Sequence, residues 1–436
     1  MGICFPSPEI FTRVLGVLRS HWQRRRGALG PPQVLQTLMG MSVLGTNAYA
    51  RTLRELKIKT IDVLGRPVRA PSSQAFSQAR RKLSAERCRE AVAEVRELCT
   101  TARTHASLGY GGFRLLAIDG TKLALPAYRV FREHFGCPVQ SPRGPQASFT
   151  LLWDVGANQP VDWEVGPYRV CERVHALKFL AKLGATDLVL GDRNFASRRL
   201  IFTLDGCKAN WLMRVRSAGS GTLAEVVEFV ASGKTDFPMT LVERNHHGEP
   251  KPGSPQVKAR LLRMDLEDGT VAVFITSLLD PLRYPAPSLI DLYAARWRIE
   301  TAFRELKIWH GLERFHARYV DGIAQEVAAL MLFQLLSSEL EAQARIHPSA
   351  SIANVEPPGL PAQVRKPMLR FNRGMVADCA VDLLYAAAWG PEQLRVVFED
   401  CLYHIWRTRQ TVKPRRSFPR ERKSPARGWR AEGRSD

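Results

Sequence analysis

Phe113-Arg-Leu-Leu-Ala-Ile-Asp119-Gly120 is the stretch on which the fold turns. An apolar run closed by an acid and a glycine reads as a strand. Everything before it reads as helix. Ile10 to Leu18 is amphipathic, Pro31 and Pro32 open Val34 to Leu44, and Ser84 opens a helix running to about Cys99. After it come Ser148 to Val155 and Val161 to Val165, two strand-like runs separated by Gly156-Ala-Asn-Gln-Pro160, which reads as a hairpin. Arg173 to Leu183 is helical, and Asp187-Leu-Val-Leu190 is a short apolar strand that again ends in Gly191-Asp192. Ser197 to Leu204 is helical and Asn210 to Val215 is a strand. Strand, strand, strand, helix, strand, helix, strand predicts an α/β core with an antiparallel edge.

The next segment, about 212–286, is β-rich. Met239 to Arg244, Val257 to Met264 and Thr270 to Ser277 read as strands, with a tight turn at Glu267-Asp-Gly269 and an exposed loop around His246 and His247. A helix through Lys307, a long helix from Ile323 to about Ala344, a linker with Pro357, Pro358 and Pro361, and a helix from Pro391 to about Arg407 follow. The last 30 residues hold 11 Lys/Arg against 3 acids and read as a disordered basic tail. The expected division is 1–108, 109–345 and 346–436.

The 436 residues carry a net charge of +21, which calls for a polyanionic partner, nucleic acid before anionic membrane. No apolar run reaches the roughly 18 residues of a membrane span. The N-terminus lacks a signal-peptide pattern, and the 8 cysteines contain no CxxC pair, so the expected setting is cytoplasmic with reduced thiols.

Three carboxylates stand out: Asp119, Asp192 and Glu300. The first two end apolar strands, and strand ends line the crevice of an open α/β sheet. At about 100° per residue, Tyr293, Arg296, Glu300 and Lys307 fall within about 60° on one helix. Ile299, Ala302, Phe303, Leu306 and Trp309 take the opposite, packing face. Such oxygen ligands suit Mg²⁺ or Mn²⁺. Two such ions about 4 Å apart can activate a nucleophilic oxygen and stabilise a leaving one. Arg304 faces the same way as Glu300 and is a candidate DNA contact, whereas Glu305 lies off the stripe and reads as surface. Arg193 could bind phosphate or pair with a carboxylate. Asp154, Asp162, Glu164 and His175 read as surface residues, and Trp153 and Trp163 as packing groups. The helix predicted over Pro71 to Leu83, with Ser, Gln, Arg and Lys exposed, suits a DNA groove or an ordinary basic surface equally.

Tyr293, Arg296, Glu300 and Lys307 resemble, at all four positions and all three spacings, the signature of the Asp-Asp-Glu transposases of bacterial insertion sequences, specifically the insertion sequence four group. Ala117-Ile-Asp119-Gly120-Thr121 and Leu190-Gly-Asp192-Arg193-Asn194-Phe195 resemble its first and second acid motifs, and Ser72-Ser-Gln-Ala-Phe-Ser-Gln-Ala-Arg80 also looks like this group. The resemblance covers about residues 30–340. It implies a ribonuclease H-like core with a β insertion, preceded by a helical DNA-binding domain. It implies a transposase that binds the terminal inverted repeats of a mobile element as double-stranded DNA, works as a homodimer in a synaptic complex, and uses two metal ions for cleavage and for strand transfer to target DNA. By position, Asp119, Asp192 and Glu300 would hold the metals, and Tyr293, Arg296 and Lys307 would contact DNA phosphates. Some relatives use a Trp in the insertion to stack on a flipped base beside a hairpin. Leu212 to Tyr293 contains no Trp, which leaves Phe274 or Trp297 as substitutes.

Overall fold

The computed structural model describes residues 31–44, 72–99, 109–138, 144–219, 221–245, 249–308, 310–346, 369–386 and 391–411, with a few isolated positions before residue 54. Arg24 to Arg26, His246, His247, Trp309, the linker prolines and the basic tail beyond residue 411 lie outside the described residues, as does much of Ile10 to Leu18.

Eight strands form the path of the main sheet: β1 (Phe113–Ala124), β2 (Gln146–Asp154), β3 (Gln159–Pro167), β4 (Asp187–Gly191), β5 (Asn210–Val215), β6 (Asp236–Val242), β7 (Gln256–Asp265) and β8 (Val271–Thr276). Their order is β3-β2-β1-β4-β5-β8-β7-β6. β1, β2 and β3 pair antiparallel, β4 pairs parallel with β1 and with β5, and β8 returns antiparallel onto β5. The strands of the β-rich segment therefore extend the same sheet.

Apolar runs in β1 and β4 follow from cover on both faces. Leu115, Ala117, Leu188 and Leu190 face a cluster that includes Ile299 and Phe303. Leu116, Ile118 and Val189 face another, built on α5 (Glu172–Leu180), α6 (Arg198–Gly206) and α7 (Ala224–Ala231). Behind the first cluster runs α10 (Val320–Ile346), buried along nearly its whole length. It packs against α1 (Pro31–Leu44), α3 (Ala85–Leu98), α11 (Arg373–Ala386) and α12 (Pro391–Arg407). By length and composition α10 could cross a membrane, contrary to the sequence expectation, because its small and polar residues dilute the apolar run without breaking it. In the fold, 83% of its most apolar window is buried.

Serine side chains fix three helix starts. Ser72 caps α2 (Ser73–Arg81) through the Ala75 N–H, Ser84 caps α3 through Arg87, and Ser197 caps α6 through Leu200. Three readings change. β1 does not end at Asp119 but continues five residues to Ala124, held by antiparallel pairing with β2. Asp154 is buried, its carboxylate accepting from the Ala157 N–H at 2.8 Å to close the hairpin. His175 is 2% exposed, its Nδ1 3.1 Å from Thr150 Oγ1 beneath Gly166. Short α4 (Arg129–Phe135), α7 and α8 (Ala286–Tyr293) were not foreseen.

Candidate active site

The parallel register of β1 with β4 ends at Ile118↔Gly191. An aspartate follows at once in each case, Asp119 within β1 and Asp192 just past the end of β4, so the two lie side by side by neighbouring strands about 4.8 Å apart. By alternation both face the layer that holds the Glu300 helix. Each is oriented by a backbone N–H: Gly120 donates to Asp119 Oδ1 at 2.8 Å and Asn194 to Asp192 Oδ1 at 2.8 Å. Burial, with the charges of Asp192 and Glu172, pushes the Asp119 carboxyl up to about 6. The Gly120 hydrogen bond and Arg296 oppose that rise.

The Tyr293 to Lys307 segment is not one helix. α8 ends at Tyr293, a 3₁₀ turn spans Ala294–Arg296, and α9 runs Trp297–Ile308. A 3₁₀ turn advances about 120° per residue instead of 100°, so three residues rotate what precedes them by roughly 60°. The four side chains still share an arc of about 40°, but the face is covered at Tyr293 and Arg296 and not open. Tyr293 is buried edge-on against Phe274, with ring centroids 4.9 Å apart, and burial pushes its hydroxyl up to about 12. Arg296 is also buried. Its Nη2 donates to Glu300 Oε1 at 2.6 Å, its Nη1 lies 3.7 Å from Asp119 Oδ2, and its Nε is buried with no hydrogen-bond partner among the described residues. Lys307 is tied down too, donating to the Lys122 carbonyl at 3.0 Å and pairing with Glu313 at 3.0 Å. Ile299, Ala302, Phe303 and Leu306 pack inward as expected.

Of the remaining candidates, Arg193 and Arg304 are exposed. Arg193 lines a small cleft of about 290 Å³ with Arg214 and Arg216, an arrangement of cations. Glu305 is not a surface residue, for it lies 3.5 Å from Arg373 Nε with its side chain 18% exposed. Phe274 is buried under Tyr293, whereas Trp297 is 61% exposed.

One site residue escaped the sequence reading. Glu172, first residue of α5, accepts from Asn194 Nδ2 at 2.9 Å and fills the space over Gly120, where any Cβ would overlap its carboxyl. Burial and the Asp192 charge raise its pKa, against Lys122 and the Asn194 hydrogen bond. An acid in a first helical turn is ordinary, so composition marks nothing. The signal available was the glycine after Asp119, which leaves room for a neighbouring side chain.

The donor chemistry at Asp119 and Asp192 fits a divalent cation: two carboxylates, each with one oxygen on a backbone N–H, in a partly desolvated site. Glu300 would join them only on leaving Arg296, and among the described residues no group of three or more acids, histidines or cysteines is arranged around a metal-sized point.

Residues 111–336, more than half of the chain, match the family described as Transposase DDE domain. Transposase InsG for insertion sequence element IS4, from Escherichia coli (strain K12), is 27% identical over 309 residues, which are 69% of this chain and 66% of that protein. Putative transposase InsZ of the same strain is 30% identical over 142 residues, 31% of this chain and 46% of that protein. The chain thus spans less than two thirds of either relative's length. A piggyBac transposase solved as a synaptic complex with hairpin DNA aligns with TM-score 0.42 and 13% identity over 92% of this chain and 84% of that one, too distant a likeness to argue from. The family match covers both aspartates and the whole Tyr-Arg-Glu-Lys signature, and the chain belongs to the Asp-Asp-Glu transposases, in the insertion sequence four family.

Proposed function

We propose that this protein is a cut-and-paste transposase that binds the terminal inverted repeats of its element as double-stranded DNA, cleaves at their ends and joins the freed 3′-hydroxyl to target DNA. The observation that carries the reading is the pairing of Asp119 with Asp192 at the end of the β1–β4 register, opposite Glu300 on α9. The order β3-β2-β1-β4-β5, with three antiparallel strands and two parallel ones, supports a ribonuclease H-like core extended by the 212–286 insertion. Helices α1 to α3 belong to the N-terminal DNA-binding domain, 1–108, ahead of the catalytic domain, 109–345, and the C-terminal helical region with its basic tail, 346–436. A homodimer would hold two ends in one synaptic complex.

Asp119, Asp192 and Glu300 would hold Mg²⁺ or Mn²⁺, as two ions. When bound, they would supply an activated oxygen nucleophile and charge stabilisation for the leaving oxygen. The chain's own groups orient the substrate. Arg296 has a buried Nε–H without an acceptor, and a phosphate oxygen supplies one. Tyr293 is close enough to Arg296 and Asp192 to feel both charges. Arg193, Arg304 and Lys307 sit further out and contact the flanking strand.

The test is a labelled duplex carrying the element's end, incubated with the protein and Mg²⁺ beside a Glu300→Gln variant. The expected outcome is nicking followed by joining in the parent only. Binding with no metal-dependent nick would overturn the reading, and nicking of any branched DNA without joining would make the protein a nuclease.

A further inference from the structure

Beyond the end of β1 lies a second cleft, of about 960 Å³, lined by none of Asp119, Asp192 and Glu300. One wall is α2, whose Ser73, Ser77 and Arg81 recur every four residues and so share a helical face. The other is the segment after α9, with Arg314 and Arg318. All three arginines are exposed. Among the described residues none of them lies within ion-pair distance of a carboxylate. Glu313, the one acid of the described lining, is already held by Lys307 at 3.0 Å and by the Ala124 N–H at 3.3 Å.

Both walls are fastened to the same end of α10. From α2, Arg80 reaches inward and is 1% exposed. It donates to Gln325 Oε1 at 2.9 Å, to the Tyr49 hydroxyl at 2.7 Å and to the Gly322 carbonyl at 2.7 Å, and it pairs with Glu326 at 2.7 Å. Opposite, the Ala317 and Tyr319 side chains close onto Gly322, where an added Cβ would stand 2.6 Å from the Ala317 Cβ. The cleft is therefore preformed, which lowers the ordering cost of binding.

Small-molecule pockets are mostly apolar with a few polar groups. Here three guanidinium groups without a carboxylate partner among the described residues and two serine hydroxyls stand among aromatic rings, with Tyr128 under Arg318, 5.8 Å away, and Tyr319 under Arg81. Fork-shaped cations and hydroxyls are the groups that hold phosphodiester oxygens. Asp119 to Ala124 is five steps of about 3.3 Å, so the cleft begins about 17 Å from the paired aspartates. That is about five base pairs of duplex. We propose that this cleft grips the backbone of double-stranded DNA about five base pairs from the point of cleavage. The choice of DNA as ligand rests on the transposase reading.

The test uses the full chain, a fluorescein-labelled 30-base-pair duplex of arbitrary sequence, and anisotropy titrations across a salt series. Arg81→Glu with Arg318→Glu is compared with Lys234→Glu and Lys258→Glu, the same charge change at the far edge of the sheet. The cleft pair is expected to weaken binding tenfold or more. It should lower the slope of log Kd against log salt by about 2, since each lost phosphate contact removes about 0.9. The edge pair should change binding less than threefold. Equal losses from both pairs would mean bulk charge alone, and would overturn the proposal. So would equal affinity and equal loss on the single strand. If the reversed charges unfold the chain by circular dichroism, Arg81→Gln with Arg318→Gln replaces them, with a threefold to tenfold loss expected. A parent protein that binds duplex and never nicks counts against the transposase reading and leaves the cleft standing. A nicking protein whose cleft variants bind normally sinks the cleft alone.

Discussion

Arg296 spans the gap between Asp119 and Glu300, with one guanidinium nitrogen 2.6 Å from Glu300 Oε1 and the other 3.7 Å from Asp119 Oδ2. A positive charge thus already neutralises the carboxylates that a divalent ion would need. Arg296→Gln is expected to raise Mn²⁺ affinity about tenfold, or about 1.4 kcal/mol, while abolishing DNA joining. Isothermal titration of Mn²⁺ checks the first half, and weaker binding in the variant would show that Arg296 organises the site instead of competing for it.

Gly120 is the only residue that leaves Glu172 its place over β1. Gly120→Ala is expected to destabilise by about 1–3 kcal/mol, the usual cost of overpacking. Adding Glu172→Ala should recover most of that loss, because the second change removes the clash. Urea melts of both singles and the double decide, and additive losses would place the fault elsewhere.

Arg80 is bonded to Tyr49, Gln325 and Gly322 and paired with Glu326. Arg80→Met leaves a buried carboxylate at Glu326 without its cation, and is expected to cost about 3–5 kcal/mol. Arg80→Lys should recover little, since an ammonium cannot make the same fork of contacts. A midpoint within error of the parent in either variant would show the network to be dispensable.

His310 lies edge-on to Phe333, with ring centroids 5.1 Å apart, and has a buried Nδ1 without a partner among the described residues. Burial first, and the charge of Arg373 second, pull its pKa from 6.5 down to about 4. Between those pH values the unfolded chain binds a proton that the folded chain refuses. The folded state is therefore at full advantage above 6.5 and loses it as pH falls toward 4, by on the order of 3 kcal/mol. Denaturation at pH 7.5, 6 and 5 should show a steeper loss for the parent than for His310→Leu. Parallel losses would remove His310 from the acid response.

Much of this was legible in the order of residues. Strands read from apolar runs because β1 and β4 are covered on both faces, and the packing side of α9 read from its spacing. What failed depended on partners that the spacing along one element does not reveal. β1 outran Asp119 because β2 pairs with it, and Asp154 and His175 looked like surface residues because their partners are a local turn and a threonine on β2, in the sheet beneath α5. Tyr293 and Arg296 keep the direction that helical spacing gives them, but they are buried there because Tyr293 packs on Phe274 and Arg296 is drawn between Glu300 and Asp119, which spacing does not foresee. Glu172 was invisible because its role comes from Gly120 and Asn194, respectively 52 and 22 positions away.

The return of β8 onto β5 has a consequence for how such a chain can vary. Strand β8 docks at Val215↔Val273 to Leu212↔Thr276, just before the chain turns to α8 and Glu300. Whatever happens between Val215 and Val271 is therefore closed off by that pairing, and length added there lands on the outer edge of the sheet. Lengthening a surface loop costs only a slowly rising closure entropy. Loop length can thus be added between these strands at modest cost, provided the core faces of α7, β6 and β7 are kept, while the position of the third carboxylate is inherited from one fixed strand pair.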